Sequence, residues 1–146
     1  MICGSRRKDG KMREILFKAK RIDNGEWVEG NHVYLENAHY IVPLHIEWNE
    51  VEQRECPLFI RIDRKTLCQY TGFEDENKKR IWENDIVKHE QSETIGTVKW
   101  YQEDYAGWCV DDVVIDEQQF TDEMWSECEV IGNCFDNPEL LGQDGG

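Results

Sequence analysis

Residues 85–110 read DIVKHEQSETIGTVKWYQEDYAGWCV, and this stretch decides the fold class. It holds three short runs, Ile86–His89, Thr94–Tyr101 and Tyr105–Val110, separated by polar segments. Each run is rich in β-branched or aromatic residues, the types that fit a pleated, half-buried surface. Runs of this length bounded by polar turns predict antiparallel strands rather than helices. Val113–Ile115 follows as a short apolar run. In the acidic stretch 116–127, Phe120, Met124 and Trp125 fall at helical spacing, which predicts one short helical turn. Glu129–Cys134 reads as the closing strand. Residues 85–132 thus suit a small curled, SH3-like sheet.

Working outward, the same grammar extends to both ends. Phe17–Lys20 alternates as a strand, and Asp23-Asn24-Gly25 signals a hairpin, because Asn and Gly both tolerate the positive φ of a tight turn. Glu26–Leu35 reads as the return strand, with Gly30 marking a bulge or a close backbone approach. His39–Leu44 is a third strand, interrupted at Pro43. Residues 45–56 read as a loop, and Leu58–Ile62 resumes a strand. Asp63–Thr66 reads as a turn in which Asp63 bonds a backbone N–H two residues on. Leu67–Phe73 is a strand ending near Gly72, Glu74–Lys78 a charged turn, and Arg80–Trp82 leads into the stretch quoted above. Asn137-Pro138 opens a single helical turn, Asn as N-cap and Pro at the first helical position. The expected fold is all-β or β-dominated α+β, with short antiparallel strands and one or two short helical turns. Residues 1–11 read as an extension, 12–141 as one β-rich domain with possible sub-lobes 12–62 and 63–141, and 142–146 as a tail.

Charge is unevenly placed along the chain. The net charge is −14 over 146 residues, yet residues 1–21 carry +6, leaving −20 on the remainder. Such a body repels nucleic acid. The basic N-terminal segment is read as a solvated tail and a strand with an exposed basic edge. Six Trp, five Tyr and five Phe argue against a disordered acidic chain and supply core volume. The six Cys (3, 56, 68, 109, 128, 134) lack any C-x-x-C pair. Without a secretory signal or an apolar run of membrane-spanning length, they are expected to be reduced, cytosolic packing residues.

Three segments taken together resemble the phage-associated YopX-like family. They are Arg13–Ala19 with Gly25-Glu26-Trp27-Val28-Glu29-Gly30; Gln69-Tyr70-Thr71-Gly72-Phe73 with Asn77–Val87; and Glu129–Asn133 with Asn137-Pro138-Glu139-Leu140-Leu141. The family's Tyr-Glu-Gly-Asp is here Trp82-Glu83-Asn84-Asp85, and Asn is the commonest non-glycine residue in the left-handed region such a turn uses. The Gly that precedes Gln-Tyr-Thr-Gly is here Cys68. The structural motif residues are Trp27, Gly30, Tyr70, Thr71, Gly72, Asp85, Gly132, Asn133 and Pro138. The resemblance implies a small, β-rich, self-associating accessory protein of phage or prophage, with no catalytic residues to carry over.

The chemistry-bearing residues point the same way. His32, His39 and His45 with Cys56 lack the paired spacing of structural zinc and are read as surface or strand-paired residues. No G-x-S-x-G, phosphate loop or dinucleotide fingerprint occurs. The negative field works against a thiolate nucleophile. Asp111-Asp112, Asp116-Glu117 and Asp122-Glu123 are read as solvated faces. Trp82, Trp100, Trp108 and Trp125 lack the basic surroundings of base-stacking platforms and are assigned to the core. Asp85 is assigned to its turn, accepting backbone N–H groups. The expected function is therefore a non-enzymatic interaction or self-assembling module, working as a homo-oligomer without cofactor, metal or membrane, and with nucleic acid an unfavoured partner. A host protein is a further possible partner. Two alternatives are an acidic mimic of DNA that inhibits a host nucleic-acid enzyme, and a weak metal-dependent hydrolase.

Overall fold

The computed structural model describes residues 13–44, 48–49, 54–55, 59–91, 93–102, 106–111 and 122–142. Readings that fall on the remainder lie outside the described residues: the extension 1–11, Cys3, His45, Cys56, Leu58, the run 113–115, most of the acidic stretch with Phe120, and the tail 143–146. The strands are β1 (Phe17–Lys20), β2 (Trp27–Leu35), β3 (Ala38–Pro43), β4 (Trp48–Asn49), β5 (Arg54–Glu55), β6 (Ile60–Arg61), β7 (Cys68–Glu74), β8 (Arg80–Trp82), β9 (Asp85–His89), β10 (Ile95–Gln102), β11 (Ala106–Asp111) and β12 (Cys128–Asn133). A 3₁₀ turn covers Arg64–Thr66, and two short helices are α1 (Asp122–Trp125) and α2 (Glu139–Gly142). The protein is thus β-dominated, as the strand-length runs predict, and every ladder is antiparallel. No helix among the described residues is long and apolar enough to cross a membrane.

The chain divides into two compact units on either side of the Gln69–Tyr70 bond. In the first, the order is β6-β3-β2-β1, with the start of β7 pairing along β1. Ala19, Ile41 and Ile62 are buried, and Phe17, Val28 and Leu67 pack on them. In the register, Phe17 faces Gly30 and Ala19 faces Val28, so one side of the pleat collects the apolar residues. Gly30 answers a steric demand: a Cβ there would lie 2.0 Å from the Val42 carbonyl oxygen. Both of its ladders run in register, so the close approach is realised and a bulge is not.

In the second unit β8 pairs with the end of β7, and a four-stranded sheet runs β11-β10-β9-β12. Its core is Ile81, Val87, Val98, Val110, Trp125 and Cys128, with Phe73, Trp108 and Val130 packed on it. The Phe73 and Trp125 rings stack at 5.3 Å. That contact anchors the one turn of α1, which is too short to be stable by its own hydrogen bonds.

Several local expectations need correction. Residues 45–56 contain the small hairpin β4–β5, Trp48 opposite Glu55 and Asn49 opposite Arg54; a two-residue ladder is too short to leave a periodicity. In the first hairpin Gly25 takes φ +74° but Asn24 does not enter the left-handed region. The loop is wider than a two-residue turn: Gly25 N–H donates to Arg21 C=O, and Asn24 Oδ1 accepts from Glu26 N–H at 2.9 Å. β7 passes through Gly72, at φ +91°, and runs on to Glu74 with a bulge. At Asn137 the side-chain oxygen turns back to accept from Asn133 N–H at 3.2 Å. Trp100 is 46% exposed and is not a core residue. β9 covers only Ile95–Thr97 of β10, so among the described residues the β10–β11 arm beyond Val98 has no third strand over it.

Candidate functional site

The motif residues of the second unit form one continuous chain of contacts, in which Thr71, Asp85 and Asn133 bond backbone groups. Tyr70 is buried against Trp82 at 5.5 Å, with the Arg80 guanidinium 5.2 Å over its ring. Thr71 Oγ1 donates to Ile81 C=O at 2.7 Å and accepts from Phe73 N–H. Gly72 supplies the left-handed residue within the bulge. Asp85, 3% exposed, accepts from Trp82 N–H at 2.8 Å and lies opposite Asn133. Asn84 between them sits at φ +70°, the conformation that lets Asn stand where the motif has Gly. Asn133 Oδ1 accepts from Phe135 N–H and Asp136 N–H. Gly132 leaves room for the Asn137 side chain, 2.6 Å from where a Cβ would stand. Pro138 opens α2, its carbonyl accepting from Leu141 N–H. Trp27 and Gly30 belong to the first unit, where Lys18 and Lys20 lie over the Trp27 ring at 4.7 and 5.5 Å.

The sequence reading missed Asp75, placed in a merely charged turn. It is 4% exposed, and its carboxylate accepts from Asn77 N–H and Lys79 N–H at 2.8 Å and from Val130 N–H at 2.9 Å. The Asp-x-Asn spacing is the available signal, since Asp readily accepts from the amide two residues on. The contact with β12 has no local trace in sequence.

The thiols and histidines are likewise placed by packing. Burial, then Glu127, Glu76 and Asp75, pushes the Cys128 thiol up to about 12. Burial also raises Cys109 and Cys134. Burial thus disfavours the thiolate form at all three positions. Cys68 donates to Thr66 C=O. His32 and His39 stack at 5.1 Å, with Nε2 of the first 2.8 Å from Nδ1 of the second. His89 is buried, with Glu127 at 3.1 Å. No cluster of three metal-ligating side chains occurs among the described residues.

What the second unit does present is a sheet edge that no other described strand pairs. β11 is the outer strand of its sheet, and its sequence AGWCVD carries no Lys and no Pro, the residues that commonly block strand addition. On the arm beyond β9, Trp100 and Trp108 lie directly opposite each other, edge to face at 5.0 Å. Trp100 Nε1 donates to Gln102 Oε1. An open ladder and an exposed indole on the same arm are chemically suited to holding another strand.

Comparison with known proteins adds the following. The family model described as YopX protein matches residues 16–142. The crystal structure of protein EF1440 from Enterococcus faecalis is similar over 88% of this chain and 98% of its own, at 21% identity and a TM-score of 0.52. That likeness establishes a common fold. No curated protein matches the chain.

Proposed function

The chain belongs to the YopX family, and from that premise we propose that it is a non-catalytic interaction module that associates with copies of itself through β11. The carrying observation is the β11 edge, unpaired among the described residues, beside Trp100. Two β11 strands paired antiparallel about Trp108 and Cys109 set Ala106 opposite Asp111 and Gly107 opposite Val110. The one charged residue of the strand then meets a small neutral one, so no like charges oppose each other. Pairing of this kind joins two four-stranded sheets into one of eight. The bonds of Thr71, Asp85 and Asn133 to backbone groups support a structural role for these motif residues. The family membership supports an accessory role of phage or prophage type inside the host cell.

The test is sedimentation of the full chain across a wide concentration range. The native chain is expected to form a dimer, and Cys109→Lys, which puts a charge into the edge, to remain a folded monomer. Cys109→Ser is expected to behave as the native chain. A native chain that stays monomeric at the highest concentration, or a folded Cys109→Lys that still dimerises, overturns the proposal. The acidic-mimic reading has one supporting observation: partial desolvation, then neighbouring Glu90, Glu129 and Asp75, raises the Glu76 pKa from its ordinary value, a sign of carboxylates gathered there. Inhibition of a host nuclease by the pure protein would favour it over self-association.

A further inference from the structure

The first unit carries a groove of about 440 Å³ whose character runs against the net charge of the chain. Arg61, at the edge of the sheet, and Arg64, in the 3₁₀ turn, both line it and are both exposed. Neither guanidinium has a hydrogen bond or ion pair to another described residue. Arg21 also lines it, held by Asp23 at 2.7 Å. Asp63 is the carboxylate of the groove, and its Oδ1 is turned to the Lys65 N–H at 3.0 Å. In a chain with 31 acidic residues, two exposed arginines at one cavity, neither ion-paired to a described residue although Asp63 lines the same groove, set this cavity apart. Beside them, Ile22 is 58% exposed and Ala38 half-buried, giving the groove an apolar wall.

We propose that this groove binds a phosphomonoester with an apolar body, its terminal oxygens taken by Arg61 and Arg64 and its body laid against Ile22 and Ala38. One fork already pairs with both oxygens of a carboxylate, so two planar forks at one cavity offer more donors than that pairing uses. A phosphomonoester has three terminal oxygens and a charge near −2, so it can accept from both forks at once. The volume falls in the range of small-molecule sites. A long polyanion is disfavoured, since the −14 chain repels it along its length while the groove neutralises only a few charges.

Calorimetry of the full chain with adenosine monophosphate tests this, with adenosine and inorganic phosphate as half-ligands. The nucleotide is expected to bind at least roughly tenfold more tightly than either half, and Arg61→Gln and Arg64→Gln each to weaken it by roughly tenfold or more. Lys88→Gln, exposed and in the other unit, is the control and is expected to change nothing. A second arm uses lipid vesicles containing phosphatidic acid. Binding to the vesicles alone, lost in the same two variants, assigns the phosphomonoester to a lipid headgroup; binding of the nucleotide alone assigns it to a soluble ester. Absence of binding in both arms at about 1 mM ligand, or binding unchanged by both arginine substitutions, overturns the proposal.

Discussion

Asp75 shows how one buried carboxylate can stitch distant sequence together. Its oxygens accept two amides of its own turn and one from β12, 55 positions along. Removing them leaves three N–H groups without their acceptor, in a site where Asp75 itself is nearly excluded from water. Orphaning a buried donor costs about 1–3 kcal/mol, and hydrogen bonds to a charged acceptor lie at the upper end. Asp75→Ala is therefore expected to destabilise the chain by about 3 kcal/mol or more, and Asp75→Asn, which keeps one acceptor oxygen, by less. Urea unfolding checks this, as a lowered midpoint with unchanged slope. A midpoint within error of the native value for Asp75→Ala would show that water or another group replaces the carboxylate.

At the scale of elements, β1, β2 and β3 carry a cross-strand aromatic ladder. Phe17 meets His32 at 5.6 Å, His32 meets His39, and His39 meets Tyr34 at 4.6 Å. Burial, then the neighbouring His39, lowers the His32 pKa below its ordinary 6.5. The unfolded chain therefore takes up a proton at this residue before the folded chain does. The stability this position contributes is complete above pH 6.5 and is lost as pH falls through the folded value. Between pH 7 and pH 5 the urea midpoint is expected to drop, and His32→Phe, which keeps a ring in the ladder, is expected to flatten that drop. An unchanged pH slope in the variant would remove His32 as its source.

The same element scale shows what was legible in the chain and what was not. The β10–β11 hairpin, β9 and β12 could be read from composition and turn residues, because β-branched and aromatic runs fit few other states. Gly30 was legible as a contact because a glycine inside a strand has little other reason to be there. Trp100 was not, since its exposure depends on where β9 stops, a non-local fact. The width of the first hairpin loop was hidden too: Asn24 uses its side chain on Glu26 N–H, an alternative to the positive φ that Asn-Gly suggests. The groove at Arg61 and Arg64 gathers β1, β3, β6 and the 3₁₀ turn, and no spacing along the chain announces it.

For the molecule as a whole, charge sets a test that separates the two proposals. Each copy carries −14, so two copies approaching through their β11 edges repel over the Debye length, about 10 Å at 0.1 M salt. The contact at the edge itself is apolar and backbone-mediated, and salt does not weaken it comparably. Raising salt from about 20 to about 500 mM is therefore expected to strengthen dimerisation, read as a lower dissociation constant by sedimentation. Nucleotide binding at Arg61 and Arg64 has the opposite sign: the attraction is between an anion and two exposed cations, so the same salt increase is expected to weaken it. Opposite slopes in one preparation follow from self-association through a strand whose single charge, Asp111, meets a neutral residue, and ligand capture through two arginines. A dimer that salt dissociates would mean that its interface pairs charges, the basic groove of one copy with the carboxylates of the next, and would move the contact from β11 to the first unit.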